Sequence, residues 1–143
     1  MKAWIDYIGV WVWWLVVNDN WQVLLMKRWP KSKILAWYRS QPWWAVEFGE
    51  RAENAMFREI KEELDIEVEV VRFVWITETL SEWQHWVNPS YILKIKSGTP
   101  KPMEKDKWKV DEVRRFDLDS LPELITPYTI DTINAYKKLK NSL

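Results

Sequence analysis

The segment Ala52–Leu64 constrains the fold more closely than any other part of this chain. It contains strong helix formers, and Met56, Ile60 and Leu64 recur at the four-residue spacing of one helical face. A helix with a single apolar stripe has to bury that stripe against a core. We therefore predict a helix here that packs against another layer of structure.

Extended segments lie on both sides of this helix. Residues 7–17 and 22–26 are mostly apolar and flank the polar turn Asn18-Asp19-Asn20, which predicts a β-hairpin. Residues 67–79 and 86–96 are rich in β-branched and aromatic side chains and read as strands. Pro89 suggests that the second of these lies at an edge or carries a bulge.

The remaining segments complete a mixed fold. Loops are expected at residues 27–41, 80–85 and 97–107, and a short strand is expected around 112–116. Pro127 opens a second predicted helix that runs to about residue 140. Strands combined with one central and one terminal helix predict an α/β or α+β sandwich rather than a helical bundle.

Length, charge and cysteine content narrow the classes of function. A chain of 143 residues fits one domain, expected to span 1–143. The 21 basic and 21 acidic residues cancel, which argues against a nucleic-acid partner. The chain has no cysteine and no long apolar run, so we expect no disulfide, no membrane partner and a cytoplasmic location.

Three acids on the predicted helix point to metal chemistry. At about 100° per residue, Glu59, Glu62 and Glu63 share one face, where like charges repel. A hard divalent cation such as Mg²⁺ takes carboxylate oxygens and bridges to phosphates, so it is a natural partner for this face. The alternative for the helix taken alone is a solvated acidic surface.

The residues around these acids form a recognisable pattern. The sequence PWWAVEFGE from residue 42, followed by REIKEELDI from residue 58, resembles the Nudix box, G-x5-E-x7-R-E-U-x-E-E-x-G-U, where U is aliphatic. The matching positions are Glu50, Arg58, Glu59, Ile60, Glu62, Glu63 and Ile66. The two mismatches are the two glycines, replaced by Trp44 and Asp65.

This resemblance implies an α/β fold, the Nudix-type α/β/α sandwich with a mixed β-sheet. It also implies roles for the residues of the box. Metal ligands would be Glu59, Glu62, Glu63 and the backbone carbonyl of Trp44, and one of the acids would also orient or deprotonate the attacking water. Arg58 and Glu50 would position the catalytic glutamates, and Glu47, beside the site, would assist with substrate.

Aromatic and histidine residues outside the box are weaker candidates. His85 is the only histidine, and a lone histidine in a loop most often faces solvent. The segment His85-Trp86-Val87 resembles one that lines the pocket in some triphosphate-cleaving members of the family, so His85 is kept as a substrate contact. Tyr7 and Phe48 could stack on a base, but we expect them to pack in the core.

Tryptophan and glycine are present in unusual proportions, with 13 Trp and 3 Gly. Replacing Trp by Gly at position 44 restores the first glycine of the box, at 43 the glycine before it, and at 21 a turn of Asn-Gly type. Position 37 also resembles a glycine common ahead of the box. We therefore hypothesise that the gene uses UGA for glycine and was translated under a code that reads UGA as Trp. Sequencing of the gene tests this directly, because UGG codons at positions 43 and 44 would refute it.

The resemblance implies a Mg²⁺-dependent pyrophosphohydrolase, with Mn²⁺ as an alternative cofactor. Its small-molecule nucleotide substrate would most simply be a nucleoside triphosphate. ADP-ribose or a nucleotide sugar is the alternative substrate class, and a catalytically silent binding module is the alternative function. The sequence leaves a homodimer open as the oligomeric state.

Overall fold

The computed structural model describes residues 6–28, 30–31, 36–103 and 110–141. Within these ranges, seven strands and two helices follow one another as β1 (Gly9–Val17), β2 (Gln22–Arg28), β3 (Arg39–Ser40), β4 (Trp43–Ala45), α1 (Ala52–Leu64), β5 (Glu67–Leu80), β6 (His85–Ser97), β7 (Val110–Asp117) and α2 (Pro127–Asn141). The predicted hairpin, both predicted helices and the later strands are confirmed. In the described part of the chain, no helix has both the length and the apolar character needed to cross a membrane.

The strands form one mixed sheet in the described part of the chain. Its order is β3-β2-β1-β6-β5, with β4 paired to β1 and β7 paired to β2. The pairing of β1 with β6 is parallel, and the other pairings between these described strands are antiparallel. β1 therefore carries β6 along one edge, while β4 and β2 divide its other edge.

Each face of the sheet is covered by one helix. Successive residues of β1 point to opposite faces and therefore pack with different helices. Val12, Trp14 and Val16 enter the core cluster that contains Met56, Ile60 and Leu64 of α1. Leu15 and Val17 enter a second cluster that contains Ile133 and Tyr136 of α2. The architecture is thus an α/β/α sandwich with a mixed sheet, as the sequence predicted.

Two local expectations need correction. The loop predicted at 27–41 is shorter, because β2 extends to Arg28 and β3 pairs with it. β6 lies between β1 and β5, so Pro89 is not on an edge strand. The β5–β6 ladder does shift register between Phe73 and Trp75, next to the partner of Pro89. Of the loop expected at 97–107, residues 104–107 lie outside the described residues.

The backbone has glycine-like angles at two of the suspect tryptophans. Among the described non-glycine residues, φ is positive at Trp21 (61°), Trp37 (70°) and Asp65 (55°). Asp65 ends α1 in a left-handed conformation and occupies the second glycine position of the box. L-residues with a Cβ adopt this region at a cost, so these positions favour glycine. Trp43 and Trp44 instead lie in β4 and do not have positive φ, so backbone angles give no reason for glycine at these two positions.

Candidate active site

Helix α1 carries its three acids in two different environments. Glu59 and Glu63 are buried, with 5% and 6% of their surface exposed, beside the apolar residues that pack on the sheet. The side chain of Glu62 is 48% exposed. The alternative of a solvated acidic surface is therefore wrong for Glu59 and Glu63, because both side chains are buried. A buried carboxylate is costly unless a charge or hydrogen-bond donor meets it.

Arg58 joins three of the box acids. Its Nε lies 3.0 Å from Oε1 of Glu50, and its Nη2 lies 3.2 Å from Oε2 of the same carboxylate. Nη1 donates to Oε1 of Glu59 and lies 3.8 Å from Oε2 of Glu62. The guanidinium thus holds Glu50 by a two-point contact and reaches two acids of α1. From the sequence, we attributed the compensating positive charge to a metal ion alone and did not include Arg58.

The electrostatics of this group follow from the arginine. The hydrogen bond from Arg58 lowers the pKa of Glu50 below its usual value of 4.5, against a smaller opposing effect of burial. The hydrogen bond to Glu50 in turn raises the pKa of Arg58. Glu50 therefore stays ionised to a lower pH than an ordinary glutamate, beside the positive charge of Arg58.

Backbone contacts hold the C-terminal end of α1 in place. The carbonyl of Glu63 accepts a hydrogen bond of 3.1 Å from the N–H of Met103, and the carbonyl of Leu64 accepts one of 3.2 Å from Lys101. The chain after β6 thereby supplies partners for carbonyls that a helix end leaves open. These contacts fix the turn that carries Glu63.

Trp44 lies on the strand that borders α1. It is paired with Val12 of β1, and its side chain packs against the core cluster beneath α1. The strand thus brings the backbone of residue 44 to the side of the sheet that α1 covers. Its bulky ring lies where the box pattern has a glycine.

The donors of this group suit a hard divalent cation. Carboxylate oxygens are the ligands that Mg²⁺ prefers, and two of these carboxylates are buried on one helix. Among the described residues, no group of three or more histidine, aspartate or glutamate side chains is arranged to hold a metal ion. Arg58 contacts two of the box acids, Glu50 and Glu59. The residue types fit the cation, and the contact of Arg58 with Glu59 uses only Oε1 of that carboxylate.

Glu47 and His85 make different contacts, the first with the Arg58 group and the second with an acid of β5. Glu47 is exposed on the turn that leads to Glu50, and its N–H lies 3.4 Å from Oε2 of Glu50. His85 is the first residue of β6 rather than a loop residue, and its Nε2 lies 2.7 Å from Oε2 of Glu78. The structure therefore brings Glu47 to the edge of the site and pairs His85 with an acid of β5.

Tyr7 and Phe48 are not core residues. Tyr7 is 53% exposed and Phe48 is fully exposed at the tip of the turn before Glu50. The expectation of core packing is wrong for both. Phe48 precedes Gly49, which has a φ of 81°.

Three buried polar residues were not singled out by any sequence motif. Gln41, Asn88 and Ser90 have no exposed surface. Asn88 and Ser90 share one side of β6 with the buried Trp86 and Ile92. The sequence signal that could have found Asn88 and Ser90 is the two-residue repeat of a strand, which places both on the same side of β6 as Trp86 and Ile92.

A model of the NUDIX domain matches residues 8–139 of the chain. Among solved structures, the MutT NUDIX hydrolase from Burkholderia pseudomallei is 29% identical, with a TM-score of 0.79 over 91% of this chain and 98% of its own. A NUDIX hydrolase from Nitrosomonas europaea is 20% identical, with a TM-score of 0.77 over 99% of this chain and 75% of its own. A UDP-X diphosphatase is 17% identical, with a TM-score of 0.70 over 96% of this chain and 66% of its own. A comparison with curated protein sequences found no match.

Proposed function

Since the chain belongs to the Nudix hydrolase family, we propose that it is a Mg²⁺-dependent pyrophosphohydrolase of nucleoside or deoxynucleoside triphosphates. The observation that carries this proposal is the contact of Arg58 with Glu50, Glu59 and Glu62. It brings Glu50, which precedes α1, together with Glu59 and Glu62 of α1, and Glu63 is buried on the same helix.

The residues would divide the work by their environments. Glu59 and Glu63, buried on the sheet side of α1, would hold the cation together with the backbone carbonyl of Trp44. Glu62 is exposed beside them and would hold cation or water. Arg58, fixed by Glu50, would keep the carboxylates of α1 oriented, while Glu47 would meet substrate at the edge of the site.

The reaction is a hydrolysis. Water attacks one phosphorus of the triphosphate, a P–O bond of the diphosphate linkage breaks, and one acid takes a proton from the water. A bound divalent cation supplies charge neutralisation for the diphosphate and makes the water more acidic. Mn²⁺ takes similar oxygen ligands and is the alternative cofactor. The substrate is a small nucleotide, and neither a nucleic acid nor a membrane enters the reaction.

A panel of substrates with and without metal tests this proposal. Full-length protein is incubated with nucleoside triphosphates, ADP-ribose and UDP-sugars, in Mg²⁺ or in a chelator. We expect Mg²⁺-dependent release of pyrophosphate or phosphate from triphosphates above the rate with the other substrates. Preferential cleavage of ADP-ribose or UDP-sugars would assign the other substrate class. Nucleotide binding without cleavage of any substrate would assign a silent binding module.

A further inference from the structure

Part of the sheet face on the side of α1 extends beyond the helix, at the end where β1 and β6 begin. Val10 of β1 lies two residues before Val12, which packs in the core cluster with α1, so Val10 points to the same face. Val10 is paired with Val87 of β6, and Val87 is paired with Glu78 of β5. This face therefore continues across three strands.

Apolar side chains are exposed on this part of the sheet. On β5, Ile76 is paired with Pro89 and Leu80 with His85, and both partners alternate with Val87 on β6. The ring of Phe73 lies 5.6 Å from that of Tyr91, which packs against the same core cluster. Between 37% and 68% of the surface of each such residue is exposed. We call the following five residues the apolar sheet patch: Ile8, Val10, Phe73, Ile76 and Leu80.

The size of the apolar sheet patch suits a weak protein interface. Exposed apolar residues that are scattered need no explanation, whereas a contiguous patch marks a binding surface. Three strands about 4.8 Å apart, with about eight residues of about 3.3 Å each, give a face of roughly 15 by 25 Å. The resulting area of roughly 400 Å² is half of what each partner buries in a standard stable interface. None of the five residues is a tryptophan, so the patch does not depend on how the tryptophans arose.

The charges of this surface favour a second copy of the chain as its occupant. Neither the five residues nor their partners on β6 include a lysine or an arginine, the residues that attract anionic lipid surfaces. The surface instead carries one acid and one base, with Nε2 of His85 2.7 Å from Oε2 of Glu78. A two-fold interface brings the same surface together from both partners. A surface with both signs of charge can therefore match itself.

We propose that the apolar sheet patch is the interface of a weak, two-fold homodimer. The two patches pack face to face, and the two-fold axis passes near Glu78 and His85. The apolar side chains of β1 and β5 from both copies then exclude water, and Glu78 of each copy lies within reach of His85 of the partner subunit. This proposal concerns assembly and is independent of the substrate that the chain cleaves.

Self-association of the full chain tests the interface. Sedimentation equilibrium from about 5 to about 500 µM, the range in which a weak complex dissociates, should show a molar mass that rises toward that of a dimer. Ile76→Lys puts a charge on the exposed patch and should raise the dimer Kd at least about tenfold. Leu124→Lys, the matched change at an exposed apolar residue outside the patch, should leave the Kd unchanged. Circular dichroism checks the fold, and Leu80→Glu replaces Ile76→Lys if that variant does not fold. A monomer at every concentration, or a folded patch variant that dimerises like the control, would overturn the proposal.

Two further measurements distinguish this surface and this partner from others. Amide NMR shifts on dilution should change most at β5 and at the start of β1, and little at β7 on the opposite edge of the sheet. Changes confined to β7 or α2 would overturn the assignment of the surface. Vesicles of phosphatidylcholine and phosphatidylglycerol should not sediment the chain. Vesicle binding that Ile76→Lys abolishes would assign the patch to a lipid surface and overturn the homodimer.

Discussion

The guanidinium of Arg58 donates two hydrogen bonds, of 3.0 and 3.2 Å, to the carboxylate of Glu50. The same guanidinium extends to Glu59 and Glu62 on α1. Glu50, which precedes α1, is therefore linked to Glu59 and Glu62 of α1 through Arg58. Loss of either partner should leave the acids of α1 less well oriented.

The Glu50–Arg58 pair should make stability depend on acid pH. The pKa of Glu50 is lower in the folded protein than its ordinary value of 4.5, so its stabilising effect is complete above that value. It is lost as the pH falls through the lowered pKa. Thermal melts from pH 7 to pH 3 should show a smaller acid-induced fall in Tm for Glu50→Gln than for the unaltered chain. The exposed Glu82→Gln variant should follow the unaltered chain, and identical curves for all three would contradict the prediction.

The acids of α1 should be needed for turnover and not for folding. We expect Glu62→Gln and Glu63→Gln each to lower kcat by about 100-fold or more, because each removes a charged ligand or base from the site. Glu53→Gln is the control on the same helix, since Glu53 lies in its first turn and is not one of the acids that Arg58 contacts. Its kcat should stay near that of the unaltered chain. Full activity in both Glu62→Gln and Glu63→Gln would refute the metal assignment.

Glycine at positions 43 and 44 should increase activity. We expect a steric effect rather than relief of backbone strain, since both residues lie in an extended strand and neither has positive φ. Removal of the Trp44 ring frees space between β4 and α1 for a cation and its phosphate ligands. Trp43→Gly/Trp44→Gly should bind Mg²⁺ and nucleotide more tightly and turn over faster in matched assays. Equal rates would mean that the rings are harmless there.

Position 37 offers a direct test of the glycine hypothesis through stability. Trp37 has a φ of 70° and is 52% exposed. Any residue with a Cβ is strained there, so Trp37→Gly should be more stable than Trp37→Ala by about 1 kcal/mol in urea unfolding. At the exposed Trp83, where φ is not positive, the order should reverse. An alanine variant at 37 as stable as the glycine variant would argue against a native glycine.

Periodic elements could be predicted from the sequence, while short strands and burial could not. The α1 range matches because four-residue periodicity and helix formers coincide over Ala52–Leu64. β3 and β4 have two and three residues, and pairing with β2 and β1 creates them rather than any local preference. The helical rotation of about 100° per residue predicted that Glu59 and Glu63 share one face of α1. It did not indicate that both side chains are buried in the folded chain.

The tryptophan hypothesis gained support that sequence alone could not supply. Trp21 was suspected as a glycine from a turn pattern and Trp37 from its position ahead of the box, and both adopt positive φ. Buried indole N–H groups at Trp13, Trp14 and Trp75 lack an acceptor within the described residues. A buried tryptophan ordinarily pairs this group, so these three positions join the suspects.

The products of one reaction test the central claim, that the acids of α1 carry a Mg²⁺-dependent pyrophosphohydrolase. Phosphorus NMR of a deoxynucleoside triphosphate, incubated with the full chain, follows each phosphate directly. With Mg²⁺, the account predicts cleavage at a diphosphate linkage, and with a chelator it predicts intact substrate. Cleavage that continues in the chelator, or no cleavage with either Mg²⁺ or Mn²⁺, would contradict it.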